Sequence, residues 1–373
     1  MSDANVRLFL CGDVMTGRGI DQILPHPSEP TLHEPAVKDA RGYVRLAEDA
    51  HGPIPRAVDF RYVWGDALAE MRERRPDVRF VVLETAVTRS EDWMPKGINY
   101  RMHPENVGVL TAAGIDGVTL ANNHVLDWGP AGLLETLKTL RDAGVKTAGA
   151  GRNLAEAKAP AVFDLSGKAR VLVHGFGSPT SGVPLDWSAT DDLPGVNVLA
   201  ELSEGTLRRV AADLRSSPRT IRVASIHWGP NWGYGITPEQ RSFARGLVEA
   251  GVDVVHGHSS HHPKGIEVHR GRPILYGCGD FLNDYEGIGG YEEYRPDLSL
   301  MYFADLAAAT GSLVELRMVP MQIERFRLRR ASGEDAGWLR GTLSRLGEPL
   351  GTRVELEDGG TLRLRWHEQS GAG

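Results

Sequence analysis

The sequence predicts an α/β fold with one polar site at the carboxyl ends of its strands. Apolar runs of strand length alternate with amphipathic helical segments in the first half of the chain, as in βαβ units. After residue 265 the apolar runs are short and alternate with polar residues, which favours antiparallel strands. Five apolar runs are followed, directly or after one glycine, by Asp, Glu, Asn or His. Because the carboxyl ends of strands open onto the ligand crevice of an α/β sheet, we expect these side chains to converge.

The first half of the chain predicts three pairs of a strand and a helix. The strands are expected at 6–11, 79–83 and 117–121, and the helices at 65–75, 104–114 and 133–144. The last helix is expected to bury one apolar face, formed by Leu133, Leu134, Leu137 and Leu140.

The second half predicts further strands at 171–176, 221–226 and 252–256, with a helix near 203–216. A helix is expected to begin at Thr237 because Thr can cap it, Pro238 suits its first position and Gln240 completes a capping box. A hairpin is expected around Arg270 and Gly271. The strands from there onward are expected to form a second, mostly antiparallel sheet.

The composition describes an ordinary globular chain of 373 residues, with 41% hydrophobic and 24% charged residues. Its net charge of −7 argues against a nucleic-acid partner. The two cysteines, Cys11 and Cys278, lie in apolar strand contexts and are expected to be buried thiols. Since no segment has the pattern of a signal peptide or the length of a membrane span, we expect a cytoplasmic protein with no membrane partner.

Two carboxylates follow the first two strands. Asp13 comes after a strand and a glycine, where it can serve as a metal ligand or general base, or else form a turn or cap a helix. Glu84 ends an apolar strand, and Glu is disfavoured in strands, so it is either functional or exposed at the sheet edge.

Amide and imidazole groups follow two further strands. Asn123 and His124 are suited to metal ligation and proton transfer, although the same residues can form an Asx turn. His227 ends another strand and is followed by Trp228 and Trp232, which are expected either to form an aromatic wall for a substrate or to belong to the core.

Four histidines lie within seven residues, at positions 256, 258, 261 and 262. Imidazole is the commonest metal ligand and titrates near neutral pH. We assign His258 and His261 to the site, leave His262 undecided and expect His256 to be structural. Downstream, Asp280, Asn283, Asp284 and Glu286 are expected either to orient the histidines or to form a solvated turn.

Taken in order, the segments GDVMTGR, LET, LANNHVLDWG, HWG and GHSSHHP resemble the CapA-like family of poly-γ-glutamate capsule-synthesis proteins, a branch of the calcineurin-like metallophosphoesterase superfamily. The resemblance implies an α/β-β-α sandwich with two facing mixed sheets flanked by helices. It implies one domain over residues 1–330 and a C-terminal extension, 331–373, packed on it. It also implies that His124 donates a proton, and that a divalent metal pair is held by Asp13, Glu84, Asn123, His227, His258 and His261.

The chain departs from the superfamily pattern at three places. Met15 stands where the first motif has a histidine, Glu84 stands where the second has an aspartate, and two serines separate His258 from His261. Methionine does not replace histidine as a ligand of a hard ion. One metal ion, or none, is therefore expected as readily as two.

Our leading hypothesis is acid and base chemistry on a peptide, because one relative of this fold resembles a peptide epimerase of lasso-peptide biosynthesis. The chain fits that setting in three ways: it is expected to be soluble, its metal motif departs from the superfamily pattern, and it keeps many acid and base side chains. A base would remove an α-proton and an acid would return it on the other face, without a cofactor. The reacting groups would be Asp13 or Glu84 with His124, His227, His258 or His261. Lys96 or Arg101 would hold the C-terminal carboxylate, unless both are simply exposed cations, and contacts would come from Asn123, Trp228 and Trp232.

The alternative hypothesis is a metal-dependent phosphoesterase or hydrolase, or a protein of poly-γ-glutamate synthesis, with one or two Mn, Zn, Fe or Ca ions. A third hypothesis is a binding protein that retains an inactive site.

Overall fold

The computed structural model describes residues 5–213 and 219–367. Its strands are β1 Asn5–Val14, β2 Val78–Leu83, β3 Ala86–Val87, β4 Arg101–Met102, β5 Gly117–Thr119, β6 Lys146–Ala148, β7 Ala150–Gly151, β8 Ala161–Leu165, β9 Ala169–Gly177, β10 Gly195–Val196, β11 Thr220–His227, β12 Val254–His258, β13 Ile266–His269, β14 Arg272–Leu275, β15 Asp280–Leu282, β16 Leu298–Ala307, β17 Leu313–Ile323, β18 Leu328–Arg330, β19 Thr352–Leu356 and β20 Leu362–Trp366.

The α-helices are α1 Arg18–Asp21, α2 Arg41–His51, α3 Ala67–Arg74, α4 Gly108–Ala112, α5 Gly129–Asp142, α6 Leu154–Lys158, α7 Glu204–Asp213, α8 Pro238–Glu249 and α9 Gly333–Gly347. The capping box predicted at the start of α8 is confirmed, since Thr237 and Gln240 cap each other's backbone N–H groups. The predicted helix at 104–114 is a 3-10 turn, Pro104–Val107, followed by the short α4. The last residues of the helix predicted near 203–216 lie outside the described residues.

Two mixed sheets form the centre of the molecule. The first has the order β19-β20-β17-β16-β1-β2-β5-β6, with β15 beside β1 and β18 beside β17. Strands β1, β2, β5 and β6 run parallel, whereas β16, β17 and β20 follow one another in antiparallel pairs. The second sheet has the order β13-β14-β12-β11-β9-β8, and its four middle strands run parallel.

The sheets face each other across a shared apolar layer and are flanked by helices. Leu8 of β1 and Val223 of β11 belong to the inner layer. On the outer face of β1, Phe9 packs in a cluster with residues of α2, α3 and α5, and on the outer face of β11, Ile226 packs with residues of α8. This arrangement is the predicted α/β-β-α sandwich, which places the carboxyl ends of parallel strands from both sheets at one edge.

The late antiparallel strands do not form the second sheet, so that expectation is wrong. β16 pairs with β1 from Asn5↔Ala307 to Leu10↔Tyr302 and therefore extends the first sheet. The predicted hairpin, β13 and β14, joins the parallel strands of the other sheet instead. The physical reason is that strand pairing is determined by long-range packing, which cannot be predicted from the local alternation of apolar and polar residues.

Two smaller observations complete the fold. Leu134 is 41% exposed, because the buried stripe of α5 follows a spacing of about 3.6 residues and passes through Leu133, Leu137 and Leu140. After residue 330, β20 pairs with β17 and β19 pairs with β20, so both strands extend the first sheet. The helix α9 packs on them through Leu339 and Leu343. Within the described residues, no helix is long and apolar enough to span a bilayer.

Candidate functional site

The ends of four parallel strands from two sheets bring the predicted site residues together. Asp13 lies near the end of β1, and Glu84 follows the neighbouring strand β2. In the second sheet, His227 and His258 end β11 and β12 and lie opposite each other in register. All four side chains are buried. The predicted convergence of residues from distant segments is therefore present in the structure.

Three of these residues form a compact set of ligand atoms. One oxygen of Asp13 and one nitrogen each of His227 and His258 lie within 4.8 Å of one another. Asp13 Oδ1 is 3.8 Å from His227 Nδ1 and 3.7 Å from His258 Nδ1. The Oδ2 atom accepts a hydrogen bond of 3.0 Å from the backbone N–H of Ser259, which fixes the carboxylate.

The two carboxylates keep unused oxygens inside the protein. Asp13 Oδ1 and Glu84 Oε2 are buried and have no hydrogen-bond partner among the described residues. Burial, and then the negative charge of Asp280, raises the pKa of Asp13. Burial and the charges of Asp13 and Asp280 raise the pKa of Glu84 well above its ordinary value. Buried acceptors without donors are costly, and carboxylate oxygen with imidazole nitrogen is a donor set that Mn, Zn and Fe accept. The residues therefore fit a divalent cation.

The imidazoles of His227 and His258 are linked in a chain of polar contacts. Their Nδ1 atoms lie 2.8 Å apart, His227 Nε2 is 2.9 Å from Asn123 Oδ1, and His258 Nε2 is 3.0 Å from Ser225 Oγ. Burial lowers the pKa of both histidines well below the ordinary value for imidazole, and neighbouring imidazoles lower it further. The neutral form is the one that ligates metals.

His124 lies beside this set and is oriented by a buried carboxylate. Its Nδ1 is 2.7 Å from Asp127 Oδ2, and its Nε2 is 3.7 Å from Glu84 Oε1. The ring packs edge-to-face on Tyr100, with 4.2 Å between the ring centroids. Burial lowers the pKa of His124 to about 4. Since Asp127 occupies Nδ1, Nε2 is the nitrogen that faces the site.

His261 occupies the other side of the site. Its Nδ1 is 2.9 Å from Asp280 Oδ1, and Asn283 donates a hydrogen bond of 2.8 Å to the other oxygen of that carboxylate. Burial lowers the pKa of His261, but the charges of Asp280 and Asp13 outweigh burial and raise it. The His261 ring contacts Trp232 at a centroid distance of 5.2 Å. Asp280 and Asn283 therefore orient the histidine, and neither belongs to a solvated turn.

These side chains border a cavity of about 380 Å³. Seven of the predicted residues line it, namely Glu84, Lys96, Asn123, His124, His227, Trp232 and His261. Asp13 and His258 are fully buried behind that lining. Lys96 Nζ is 2.7 Å from Asp127 Oδ1 and also donates to the carbonyl of Asn123.

Two residues predicted to bind substrate do not reach the cavity. Trp228 is 2% exposed, donates from Nε1 to the carbonyl of Tyr276 at 3.0 Å and belongs to the core beside α8. Arg101 is also buried, lies over the Trp128 ring at 4.0 Å and is 2.9 Å from Glu91 Oε1. Both side chains satisfy their polar atoms within the fold, so the assignment of either to substrate binding is not supported by its position.

The remaining histidines of the cluster have structural positions. His256 is held between Ser225 Oγ and the carbonyl of Cys11, at 3.1 and 2.8 Å, as expected for a structural residue. His262 is buried in an aromatic cluster with Tyr234 and Tyr294, at centroid distances of 4.6 Å from each.

Several cavity residues were missed by the sequence analysis. Arg18 is fully buried at the cavity wall and is paired with Asp284. Tyr100 and Tyr285 also line the cavity, with their hydroxyl oxygens 2.6 Å apart. The arginine stands in the GDVMTGR segment, so that motif contained a signal for it, whereas the tyrosines lie in loops without a motif of their own.

The chain is similar to proteins that are named for capsule or polymer synthesis. A family model described as bacterial capsule synthesis protein PGA_cap matches residues 7–285. A probable polyglutamine synthesis accessory protein of Mycobacterium tuberculosis is 46% identical over 355 residues, which are 94% of this chain and 93% of that protein. The PGA biosynthesis protein CapA of Bacillus subtilis is 26% identical over 285 residues, 76% of this chain and 64% of that protein. The solved structure of the sulfate thiohydrolase SoxB of Thermus thermophilus covers 91% of this chain and 60% of its own, with a TM-score of 0.41 and 15% identity.

These relatives contradict the leading hypothesis of the sequence analysis. A relative that matches nearly the whole chain is named for polyglutamine synthesis, and a more distant one for PGA biosynthesis. The expectation of a cofactor-independent epimerase of a lasso-type precursor peptide is therefore wrong. The error arose because the altered metal motif was taken as a sign of metal-free chemistry, although carboxylates and imidazoles suit proton abstraction and metal ligation equally well. The alternative hypothesis, poly-γ-glutamate synthesis, agrees better with these relatives.

Proposed function

The chain belongs to the bacterial capsule synthesis protein family PGA_cap, and on that premise we propose that it is an accessory enzyme in the synthesis of a glutamate-derived, amide-linked polymer. The reaction we propose is divalent-metal-dependent hydrolysis of a bond in that polymer. One observation carries the proposal: Asp13, His227 and His258 offer ligand atoms within 4.8 Å of one another, next to a cavity. The names of the relatives support the choice of polymer.

The metal would be held by Asp13, His227 and His258, with Glu84 and Asn123 as further ligands on the cavity side. The unpartnered oxygens Asp13 Oδ1 and Glu84 Oε2 support this assignment. A bound divalent ion supplies polarisation of the scissile group and makes water a nucleophile near neutral pH. Met15 is 1% exposed, and the Tyr285 hydroxyl contacts its sulfur at 3.4 Å. Because its thioether does not suit a hard ion, we propose one tightly held metal.

Protein side chains would then move protons and orient the substrate. His124 presents Nε2 toward Glu84 and the cavity, so the neutral ring can take a proton from water and return it at the bond that is cleaved. Asp127 keeps that ring in place through Nδ1. The tyrosine pair, Tyr100 and Tyr285, forms the wall of the cavity beside the ring, with the two hydroxyl oxygens 2.6 Å apart.

The metal is tested by elemental analysis of the purified chain after incubation with Mn²⁺, Zn²⁺ or Fe²⁺ and dialysis. Asp13→Asn keeps an oxygen for the Ser259 N–H and removes the charge, so we expect the metal affinity to fall about 100-fold or more. The matched control is His269→Gln, because His269 is a buried histidine with a carboxylate partner, Glu249, and does not line the cavity. The control is expected to keep the wild-type metal content.

The reaction is tested by incubating metal-loaded protein with γ-linked oligoglutamate or oligoglutamine and following chain lengths by mass spectrometry. Shortened chains with wild type and His269→Gln, and unchanged chains with Asp13→Asn, are expected. Equal metal content in wild type and Asp13→Asn would refute the metal centre. Intact chains with fully loaded wild type would refute the hydrolytic role.

A further inference from the structure

The cavity has cations in its wall, but each is already neutralised. Among the described residues that line it, Arg18 and Lys96 carry permanent positive charge. Arg18 is paired with Asp284 at 2.5 Å and with Glu34 at 3.1 Å. Lys96 is paired with the fully buried Asp127 at 2.7 Å. A substrate carboxylate that entered would therefore have to compete with partners that are fixed inside the protein.

Negative groups at the cavity floor strengthen this bias. Glu84 lines the cavity, while Asp13 and Asp280 are buried directly behind it. Asp280 is balanced by His261, whose Nδ1 lies 2.9 Å away. A divalent cation held by Asp13 and Glu84 would be matched by their two charges. The site as a whole has no surplus of positive charge with which to bind a polyanion.

The mouth of the cavity is instead aromatic and aliphatic. The rings of Trp232 and Tyr291 stack with centroids 3.9 Å apart and an interplanar angle of 3°. Tyr291 is 42% exposed, and two further lining residues, Ile98 and Ile288, are 43% and 44% exposed. Such a surface packs well against methylene groups and the flat faces of amides, and it offers no compensation for a carboxylate that loses its water.

Resting on the proposed polymer function, we infer that the cavity selects uncharged, carboxamide-bearing units of the polymer and rejects units with a free carboxylate. The substrate class of this site is thus a glutamine-type segment, and the glutamate-type polyanion is a poor ligand. The chain's net charge of −7 acts in the same direction over longer distances.

The test compares two oligomers of equal length and linkage that differ only in carboxamide against carboxylate side groups. Binding to the full, metal-loaded chain is measured by isothermal titration calorimetry at low and at high salt. We expect the carboxamide oligomer to bind about tenfold or more tightly at low salt, because a carboxylate loses its water at the mouth without gaining a cation and is repelled by the chain's net charge of −7. Added salt should strengthen binding of the carboxylate oligomer and leave the carboxamide oligomer unchanged, because screening weakens repulsion.

A substitution at the mouth checks the electrostatic origin of the preference. Ile98→Lys places a solvated, unpaired cation beside the cavity, so we expect the affinity for the carboxylate oligomer to rise about fivefold, with an effect that salt removes. Ile98→Gln is the matched control, because it makes the same position polar without a charge, and it should retain the wild-type preference.

The outcomes separate the two levels of the proposal. Equal or tighter binding of the carboxylate oligomer by wild type would overturn the selectivity and leave the polymer function intact. Failure of both oligomers to bind a chain that holds its metal would overturn the polymer function, and the selectivity with it. A rise in carboxylate affinity in Ile98→Gln as large as in Ile98→Lys would overturn the electrostatic explanation.

Discussion

The buried ion pair between Lys96 and Asp127 is expected to couple strongly in a double-mutant cycle. Asp127 is fully buried and accepts three polar contacts of 2.7 Å, from Lys96 Nζ, His124 Nδ1 and the backbone N–H of Tyr100. At that distance, and with an effective dielectric constant of about 20, Coulomb's law gives about 6 kcal/mol of attraction before desolvation. The Lys96 side chain is 24% exposed, so solvent screens part of this energy. Hydrogen bonds to charged groups contribute about 1.5–3 kcal/mol, and we expect a coupling of about 2 kcal/mol.

The assay is urea unfolding of wild type, Lys96→Met, Asp127→Asn and the double variant. Each single variant leaves a partner without its counterpart, so the double variant should be more stable than the sum of the two losses predicts. The pair of Lys138 and Asp142 is the matched control, because it joins the same residue types on the surface of α5, with side chains 67% and 53% exposed. Solvent and salt should reduce the coupling of the control to a far smaller value. A coupling between Lys96 and Asp127 no larger than that of the control would refute the reasoning.

Three further predictions follow from positions outside the catalytic set. Burial lowers the pKa of Lys264 from 10.5 to about 8. The charged lysine therefore destabilises the folded state by its full amount below about pH 8, and this destabilisation is lost above about pH 10.5. The unfolding free energy of Lys264→Met should therefore exceed that of wild type by on the order of 3 kcal/mol near pH 7. In urea unfolding this difference should shrink as the pH rises from about 8 to about 10.5. A difference that does not change with pH would contradict this. Gly12→Ala would place a Cβ 1.5 Å from the carbonyl oxygen of Gly279, so we expect the unfolding free energy to fall by about 3 kcal/mol. The control is Gly341→Ala, whose Cβ meets open space on a helix, and its unfolding free energy should rise by about 0.5–1 kcal/mol. Arg101→Met should lower the midpoint temperature of thermal unfolding and leave oligomer binding unchanged in calorimetry. Weakened binding would instead show that Arg101 contributes to substrate binding.

The convergence of the site could be predicted from the sequence because it follows from a general property of parallel strands. Asp13, Glu84, His227 and His258 each come at the end of an apolar run, and the carboxyl ends of such runs meet at one edge. The start of α8 was equally predictable, since Thr237 and Gln240 act on backbone groups within four residues. In these cases the physical cause lies within a short stretch of chain.

Other features depend on partners that are distant in the chain. Trp228 is held in the core by the carbonyl of Tyr276, which is 48 residues away. The buried guanidinium of Arg18 is paired with Asp284, which is 266 residues away. The residues next to Arg18 in the sequence do not predict this partner. The pairing of β16 with β1 likewise joins residues that are nearly 300 positions apart. Residue type alone does not distinguish a side chain that is neutralised inside the fold from one that is free to bind a substrate.

The cavity is built from two kinds of backbone, and this has a consequence for its dynamics. Asp13 lies in a strand that is hydrogen-bonded to β2 on one side and to β15 on the other, in the interior of the first sheet. Trp232 and Tyr291 lie in connecting segments. Amide hydrogen exchange around Asp13 should require opening of the whole sheet, whereas the amides near the two stacked rings should exchange through local fluctuations. The reacting groups would then keep a constant geometry while the mouth adjusts to successive units of a long chain.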